Sequence, residues 1–133
     1  MKISKKITIQ ELRTAFSNQF PSLKIEFYSK SHGENSGSNI KNELLHDMTL
    51  DSVNPNIKDG EFIFDGAMTV QEFEKGLNEQ FGLNVQVFRK SNGIWLQTTS
   101  TDGWSLDIQN GKGYRSTLDH QIPEIKMQDY DLD

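Results

Sequence analysis

The chain contains the same motif twice, and this repeat constrains the fold more than any other feature. Residues 8–20 read TIQELRTAFSNQF and residues 69–81 read TVQEFEKGLNEQF. When residues 7–20 are aligned with residues 68–81, five of the fourteen positions are identical. Internal self-similarity indicates that a chain is built from related structural units. We therefore expect two similar units within the 133 residues.

Each copy of the motif predicts a helix. Thr8 with Glu11, and Thr69 with Glu72, have the spacing of a capping box, in which both side chains bind free amides at a helix start. Apolar residues then follow at intervals of three and four, which predicts one buried stripe on each helix. These residues are Ile9, Leu12, Phe16 and Phe20 in the first copy and Val70, Phe73, Leu77 and Phe81 in the second. A proline ends the first predicted helix and a glycine ends the second.

Alternating apolar residues after each helix predict strands. Residues 23–28 (LKIEFY) and 83–88 (LNVQVF) alternate between apolar and other side chains, as a strand with one buried face does. Asn92-Gly93 is a typical type I′ hairpin turn. Residues 94–99 should therefore return as an antiparallel strand.

The remaining segments complete each unit. KISKKI and EFIFD each predict a strand before a long helix, and WSLDIQNGKG predicts a short helix that its glycines end. The expected fold is α+β, with tandem duplicated strand-helix-strand-strand-short-helix units. Neither unit is large enough to fold alone, so they share one mixed sheet of about six strands, with the long helices packed on one face. A single domain spans residues 1–113, with pseudo-repeats at about 1–56 and 60–113, and residues 114–133 form a polar, acidic, flexible tail.

Two stretches resemble a family of small, uncharacterised bacterial proteins. They are TIQELRTAFSNQFPSLKIEFYSK in the first unit and FGLNVQVFRKSNGIWLQTTSTDGWSLDIQN in the second. The resemblance covers residues 8–112 and excludes the tail. It supports the fold prediction and implies no activity, cofactor or partner.

Composition argues against several classes of function. Cysteine is absent, which rules out disulfides, thiol nucleophiles and cysteine-ligated metal sites. The net charge of −5 disfavours binding to nucleic-acid backbones and to anionic membranes. The first residues, MKISKKITIQEL, lack the apolar stretch of a signal peptide, and we expect no membrane-spanning segment. The prediction is a cytoplasmic protein with no cofactor, no metal and no membrane partner.

The sequence assigns no catalytic residue. His32 lies two residues before Glu34, as in zinc deaminases, but those enzymes also need cysteines, so a solvated turn explains the pair better. His46-Asp47, at a predicted strand end, fits a surface pair better than an acid/base couple. Neither a phosphate-binding glycine loop nor a nucleophile elbow is present. The pattern favours a protein that is not an enzyme.

The sheet face away from the helices is predicted to carry aromatic side chains. A two-residue turn places Lys90 opposite Trp95 and Phe88 opposite Gln97, so all four lie on that face. Phe88 and Trp95 become diagonal neighbours close enough for ring contact, with Lys90 over the indole. The repeat places Tyr28 at the position equivalent to Phe88, and the strand alternation in EFIFD adds Ile63 to the same face. The predicted patch consists of Tyr28, Ile63, Phe88, Lys90, Trp95 and Gln97.

Three interpretations of this patch are open. In the first, the patch is covered by the tail, by the loop at residues 29–39 or by a short helix. In the second, it forms a dimer or partner interface. In the third, nucleotide bases stack on it. Base stacking requires four cations gathered on the aromatic face, namely Lys24, Lys30, Arg89 and Lys90.

The favoured function is a non-catalytic protein-interaction module, either a homodimer or an accessory subunit. The alternative is a small-molecule-binding protein or a hydrolytic enzyme with a groove between the two repeats. Such a site would lie near the loop with His32 and Glu34, because that loop has been elaborated in only one unit. Nucleic-acid binding is the least favoured of the three, and a small-molecule ligand stays undefined.

Overall fold

The structure, a computed structural model, describes residues 1–30 and 37–121. This part of the chain has the α+β composition that the sequence predicts, with four α-helices and two antiparallel sheets. In chain order the elements are β1 (Lys2–Ile3), α1 (Ile9–Gln19), β2 (Leu23–Tyr28), a 3-10 turn (Ile40–Asn42), α2 (Leu50–Val53), β3 (Gly60–Glu61), α3 (Val70–Phe81), β4 (Asn84–Ser91), β5 (Ile94–Gln97) and α4 (Leu106–Gln121).

Both capping boxes form at the predicted helix starts. The Thr8 hydroxyl accepts a hydrogen bond from the Glu11 amide at the start of α1, and the Glu11 carboxylate accepts one from the Thr8 amide. Thr69 and Glu72 make the same reciprocal pair at the start of α3. α3 is ended by Gly82, whose φ of 67° lies in the left-handed region that favours glycine. The two long helices therefore begin where the repeated motif predicts.

Strands β2, β4 and β5 form an antiparallel sheet in that order. Its hairpin turn confirms the predicted register, because Lys90 pairs with Trp95 and Phe88 pairs with Gln97. Asn92 has a φ of 49° and is followed by a glycine that also has positive φ, as a type I′ turn requires. The apolar side chains of β2 and β4 belong to the same buried cluster as the stripes of α1 and α3. The long helices therefore pack on one face of this sheet.

The prediction of one mixed six-stranded sheet is wrong, because the remaining strands form a separate sheet or barely pair. β1 and β3 make a two-stranded antiparallel sheet of two residues each. Phe62, directly after β3, still donates its amide to Met1 O at 2.9 Å, and its ring lies in the core, where it meets Phe73 edge-on at 5.6 Å between ring centroids. The described segment before α2 contributes two isolated bridges, Glu43 with Tyr28 at the edge of β2 and Thr49 with Thr8.

The last helix is longer than predicted. α4 continues through Gly111 and Gly113 to residue 121, so residues 114–121 are helical and do not begin a flexible tail. Gly113 lies against the start of β2, where an added Cβ would stand 2.9 Å from Ser22 Cβ and 3.0 Å from Ser22 O. This glycine therefore allows a close helix-strand approach, and it does not end the helix. Residues 122–133, the rest of the predicted tail, lie outside the described residues.

The two halves of the chain share one hydrophobic core, as the sequence predicts. The buried cluster draws on both long helices, on β2 and β4, and on the start of α4. At its centre Phe16 of α1 meets Phe73 of α3, with 5.0 Å between the ring centroids. Gly76 of α3 lies under the ring of Phe62, which an added Cβ would approach to 2.9 Å. Burying this shared core stabilises both halves together.

Matching hydrogen bonds occur in the two halves, where each long helix begins beside the start of a later helix. The Ile9 amide donates to Met48 O in the first half, and the Val70 amide donates to Trp104 O in the second. In the same way, Gln10 N bonds His46 O and Gln71 N bonds Asp102 O. The third matching pair is Leu50 N to Ile7 O and Leu106 N to Met68 O. In the central sheet Glu26 of β2 pairs with Gln86 of β4, and both are the fourth residue of their strand motifs. The two halves thus make corresponding backbone contacts at the starts of their long helices and at this pair.

Candidate binding surface on the three-stranded sheet

The candidate site is the face of the three-stranded sheet opposite the long helices. Strand alternation brings side chains from all three strands to this face. They are Lys24, Glu26 and Tyr28 of β2, Gln86, Phe88 and Lys90 of β4, and Trp95 and Gln97 of β5. One end of the face is a buried polar cluster, and the other end is an open aromatic patch.

Glu26 is the centre of the buried end. Its carboxylate is only 2 % exposed, and its Oε2 accepts from Arg13 Nη2 at 3.0 Å and from Lys24 Nζ at 3.2 Å. Oε1 accepts from His46 Nε2 at 2.8 Å. Burial acts to raise the pKa of Glu26, but the bond from His46 and the charges of Arg13 and Lys24 outweigh it and hold the pKa below 4.5. The buried charge is therefore compensated.

Glu43 is the second carboxylate of this cluster. Its bridge to Tyr28 brings it beside β2, next to Glu26. Partial burial raises the pKa of Glu43 above 4.5, and the charge of Glu26 and its hydrogen bond raise it further. Burial also raises the pKa of the Tyr28 hydroxyl, with added repulsion from both carboxylates. The two carboxyl groups thus have pKa values shifted in opposite directions.

The polar cluster is arranged for structure more than for binding a cation. One ligand atom each from Glu26, Glu43 and His46 lies within 4.8 Å of the other two, a spacing that metal ligands can have. Arg13 and Lys24 already bind one of these carboxylates, so a divalent cation would meet two positive charges nearby. The donor set alone does not make a metal site.

Part of the loop at residues 29–39 covers the middle of the face. The Ser38 amide donates to Gln97 Oε1, and Gln97 Nε2 donates back to Ser38 O at 2.8 Å. The Ser38 hydroxyl also bonds Gln86 Oε1 at 3.3 Å. One predicted cover, the loop, is therefore present over Gln86 and Gln97. Residues 31–36 of the loop, including His32 and Glu34, lie outside the described residues.

The aromatic end is open and carries two lysines. Lys24 Nζ lies 5.0 Å from the Phe88 ring centroid and 5.3 Å from that of Trp95, and Lys90 Nζ lies 5.5 Å from the Trp95 ring. These are cation–π distances. Among the described residues Phe88 and Trp95 make no ring contact with each other, and Lys24 interacts with both rings instead. Trp95 is 37 % exposed, so the indole is available to a partner.

β5 is an edge strand whose outer side faces away from the sheet. In the strand order it follows β4, and in the described part of the chain nothing else pairs with it. Ser91 pairs with Ile94 across the two-residue turn, and the Thr98 amide donates to Val87 O, so the even-numbered residues bond to β4. The amides and carbonyls of Trp95 and Gln97 therefore point outward. On the opposite face from Trp95, Ile94 is 61 % exposed and Leu96 is 39 % exposed.

The predicted patch residues separate into two groups. Phe88, Lys90, Trp95 and Gln97 share the expected face. Tyr28 lies on that face but is buried beside Glu43, so it is not part of an exposed patch. Ile63 follows β3 of the other sheet and is 76 % exposed there, away from this face.

The polar cluster was not predicted from the sequence. His46, whose side chain is 41 % exposed, bonds the buried Glu26, and its predicted surface pairing with Asp47 stays a prediction. Strand alternation could have placed Lys24 and Glu26 on the aromatic face, but Arg13 and Glu43 come from separate elements. Of the cations required for base stacking, Arg89 lies on the opposite face, where it bonds Gln109 of α4.

Comparisons with protein-family models, with curated proteins and with solved structures found no match. The resemblance to a family of small bacterial proteins and the cytoplasmic location stay predictions. None of the helices in residues 1–30 and 37–121 has the length and apolar character needed to cross a membrane.

Proposed function

We propose that this chain is a non-catalytic protein-interaction module, an accessory subunit that binds an extended acidic segment of a protein partner. The contact surface is the binding edge, defined as β5 with Lys24, Phe88 and Lys90. The partner segment adds to the sheet as a further strand beside β5.

The observation that carries this proposal is the outer side of β5, which pairs with no other strand within residues 1–30 and 37–121. Proteins usually shield an edge strand with charged side chains, proline or a bulge, because its free amides and carbonyls pair readily with another chain. β5 reads IWLQ and has none of these devices. Three consecutive large apolar side chains of β5 are exposed, Ile94, Trp95 and Leu96. Strand addition satisfies the backbone groups and covers the apolar residues in one step.

The lysines define the chemistry of the partner. The whole chain carries a net charge of −5, yet the indole of Trp95 has two ammonium groups within 5.5 Å of its ring. Among the described residues Lys90 has no carboxylate partner, whereas Lys24 is paired with Glu26. Carboxylates on a bound strand would therefore gain most from Lys90. An extended segment with acidic side chains on one face matches this arrangement.

Selection of binding peptides tests the proposal. A library of random twelve-residue peptides displayed on phage is panned against the full chain, and the dissociation constants of the enriched peptides are measured by fluorescence polarisation. We expect enrichment of peptides that alternate acidic and apolar residues. Trp95→Ser should weaken binding by about 30-fold, because an aromatic anchor at an interface contributes about 2 kcal/mol. Lys90→Gln should weaken it by about threefold, as the loss of one exposed charge pair does.

Ile63→Ser is the matched control, because it also replaces an exposed apolar residue but lies just after β3, outside the three-stranded sheet. It should leave binding unchanged. Failure to enrich any peptide, or enriched peptides that bind Trp95→Ser as tightly as the wild type, would overturn the proposal.

The second candidate is a small-molecule-binding or hydrolytic protein that uses the polar cluster. It is favoured by the opposite pKa shifts of Glu26 and Glu43, since paired carboxyl groups with separated pKa values serve as acid and base in many enzymes. The geometry opposes it, because both oxygens of Glu26 are taken by His46, Arg13 and Lys24. Glu26 is then a structural charge, and we rank this function second.

The architecture of the module is also part of the proposal. We propose that residues 1–56 and 60–113 are duplicated units, which is supported by the matching hydrogen bonds at α1 and α3 and by the pairing of Glu26 with Gln86. The polar cluster is carried by the first unit, whereas the binding edge takes β5, Phe88 and Lys90 from the second unit and only Lys24 from the first.

A further inference from the structure

We propose that the binding edge accepts its partner strand in one direction and one register. The partner lies antiparallel to β5 and has a core of four residues that are small, apolar, acidic and apolar, in that order. This inference rests on the proposed function, because it uses the same outer side of β5. It goes further by assigning a chemical class to each partner residue that faces the edge strand.

The partner residue that faces Trp95 should be acidic. Lys90 lies directly across the hairpin from Trp95, and its Nζ is 5.5 Å from the indole ring, with Lys24 Nζ 5.3 Å from the same ring. A strand beside β5 would bring one side chain next to this indole, on the lysine-bearing face that these three residues share. Lys24 already binds Glu26, whereas among the described residues Lys90 has no carboxylate partner. A carboxylate beside the indole is therefore attracted chiefly by Lys90.

The partner residue that faces Gln97 should be small, because the loop narrows the lysine-bearing face at this point. The Ser38 amide and carbonyl both bond the Gln97 side chain, and the Ser38 hydroxyl bonds Gln86 of β4. Gly37 lies against β5 instead, since an added Cβ would stand 2.5 Å from Gln97 Oε1 and 3.7 Å from Thr99 Cγ2. Between these two residues the loop thus runs from β4 to the edge strand. A bulky partner side chain beside Gln97 would meet it.

The partner residues that face Leu96 and Ile94 should be apolar. Strand alternation places them on the opposite face of the sheet from the indole of Trp95. Leu96 is 39 % exposed and Ile94 is 61 % exposed, so a strand beside them would remove apolar surface from water. Apolar partner side chains at these two positions gain the most from that burial.

The direction follows from the hydrogen bonds that the outer side of β5 can make. In antiparallel pairing, Trp95 and Gln97 would each exchange two hydrogen bonds with the partner residue opposite, and such pairing is slightly more stable per residue than parallel pairing. β5 runs from Ile94 to Gln97, so an antiparallel partner meets Gln97 first and Trp95 two residues later. Read from its N-terminal end, the core is therefore small, apolar, acidic and apolar.

Two synthetic peptides of identical composition test the direction and the register together. One contains Ser-Val-Glu-Val-Tyr, the other contains the reverse order, Tyr-Val-Glu-Val-Ser, and each has a threonine at both ends. When the glutamate faces Trp95, an antiparallel partner places serine beside Gln97 in the first peptide and tyrosine in the second. NMR titration of the full chain, followed at the Trp95 indole, should show about tenfold tighter binding of the first peptide. Equal affinities, or tighter binding of the reverse peptide, would overturn the inference.

Gln97→Ala should remove the selection by size. It deletes both side-chain bonds to Ser38 and widens the space beside β5, while the outward backbone groups stay in place. The two peptides should then have dissociation constants within about threefold of each other. Gln80→Ala, at an exposed position of α3, is the matched control and should keep the difference between them. An undiminished difference in Gln97→Ala would contradict selection by the loop.

Lys90→Gln tests the acidic position. Replacing the glutamate of the first peptide by glutamine should weaken binding to the wild type by about threefold and should have no effect on binding to Lys90→Gln. Lys75→Gln, at an exposed position of α3, is the matched control and should behave as the wild type does. A loss of the same size in Lys90→Gln would overturn the assignment of the acidic residue.

The outcomes distinguish this inference from the proposed function. If library-selected peptides bind in a Trp95-dependent way, while the two designed peptides bind equally or not at all, the register is wrong and the proposed function stands. If neither the library nor the designed peptides bind, both fail.

Discussion

Glu26 of β2 and Gln86 of β4 face each other across the central strand pair, and both are almost completely buried, at 2 % and 1 % exposure. The two side chains have nearly the same shape, so the difference between them is one charge. Only Glu26 is surrounded by cations, from Arg13 and Lys24, with His46 as a third donor. Gln86 instead bonds the covering loop through Ser38. The Glu26 side of this pair is charged and stabilises the fold. The Gln86 side is uncharged and lies towards the binding edge.

The charge of Glu26 should be required for stability near neutral pH. Glu26→Gln leaves Arg13 and Lys24 with a neutral acceptor, and we expect a loss of about 2 kcal/mol in the free energy of unfolding, measured by urea titration. The pKa of Glu26 is lowered in the folded protein, so its contribution is present above 4.5 and is lost as the pH falls through the folded value. The wild type and the variant should therefore converge in stability near pH 3. A stability difference that does not change with pH would contradict this explanation.

Glu43 should have the opposite effect. Its pKa is raised in the folded protein, so its contribution favours the fold at low pH and is lost as the pH rises above 4.5. Glu43→Gln removes the repulsion from Glu26, and we expect a higher melting temperature near neutral pH and no gain in acid. Because Glu43 is partly exposed, added salt should reduce the gain. A lower melting temperature at neutral pH would show that ionised Glu43 makes a favourable contact.

Two glycines of α4 should respond differently to the same substitution. Gly113→Ala brings a methyl group to within 3.0 Å of Ser22, so overpacking of about 1–3 kcal/mol outweighs the gain in helix propensity, and the variant should be destabilised. Gly111→Ala meets only Arg115 Nη1, at 3.5 Å, and should stabilise the protein by about 0.5–1 kcal/mol. Thermal unfolding of both variants checks this. Stabilisation by both substitutions would mean that α4 does not approach β2 closely.

Trp95→Ser should leave the fold intact. The indole is more than one-third exposed on an edge strand, so we expect the free energy of unfolding to change by less than about 1 kcal/mol and the far-UV circular dichroism spectrum to be unchanged. Size-exclusion chromatography with light scattering should give the same mass as for the wild type. An unfolded variant would place Trp95 in the core and remove the main support for a binding edge.

The features that could be predicted from the sequence are those set by residues close together in the chain. The capping boxes at Thr8 and Thr69 and the hairpin at Asn92 depend on neighbours within four residues, and all three formed as expected. The features that could not be predicted depend on distant segments. Gly113 could end a helix or allow close contact with Ser22, 91 residues away in sequence. The packing of α4 against β2 decides between the two.

The candidate site shows the same limit. Lys90 and Trp95 were placed correctly, because the turn fixes their register. Glu26 was missed as a centre, because its partner His46 is 20 residues distant and comes from a different segment. The prediction of a single six-stranded sheet was wrong for a related reason. A strand pattern does not show how many of its residues will hydrogen-bond to a neighbouring strand.

The most direct test of the binding edge is an NMR titration of the full-length protein with the tightest peptide from the library. We predict that chemical shift changes at saturation are concentrated at the outward amides of Trp95 and Gln97 and at the Trp95 indole. They should be absent from the backbone of Glu26 and His46. Changes centred instead on Glu26, Glu43 and His46 would contradict the account and would support the second candidate function.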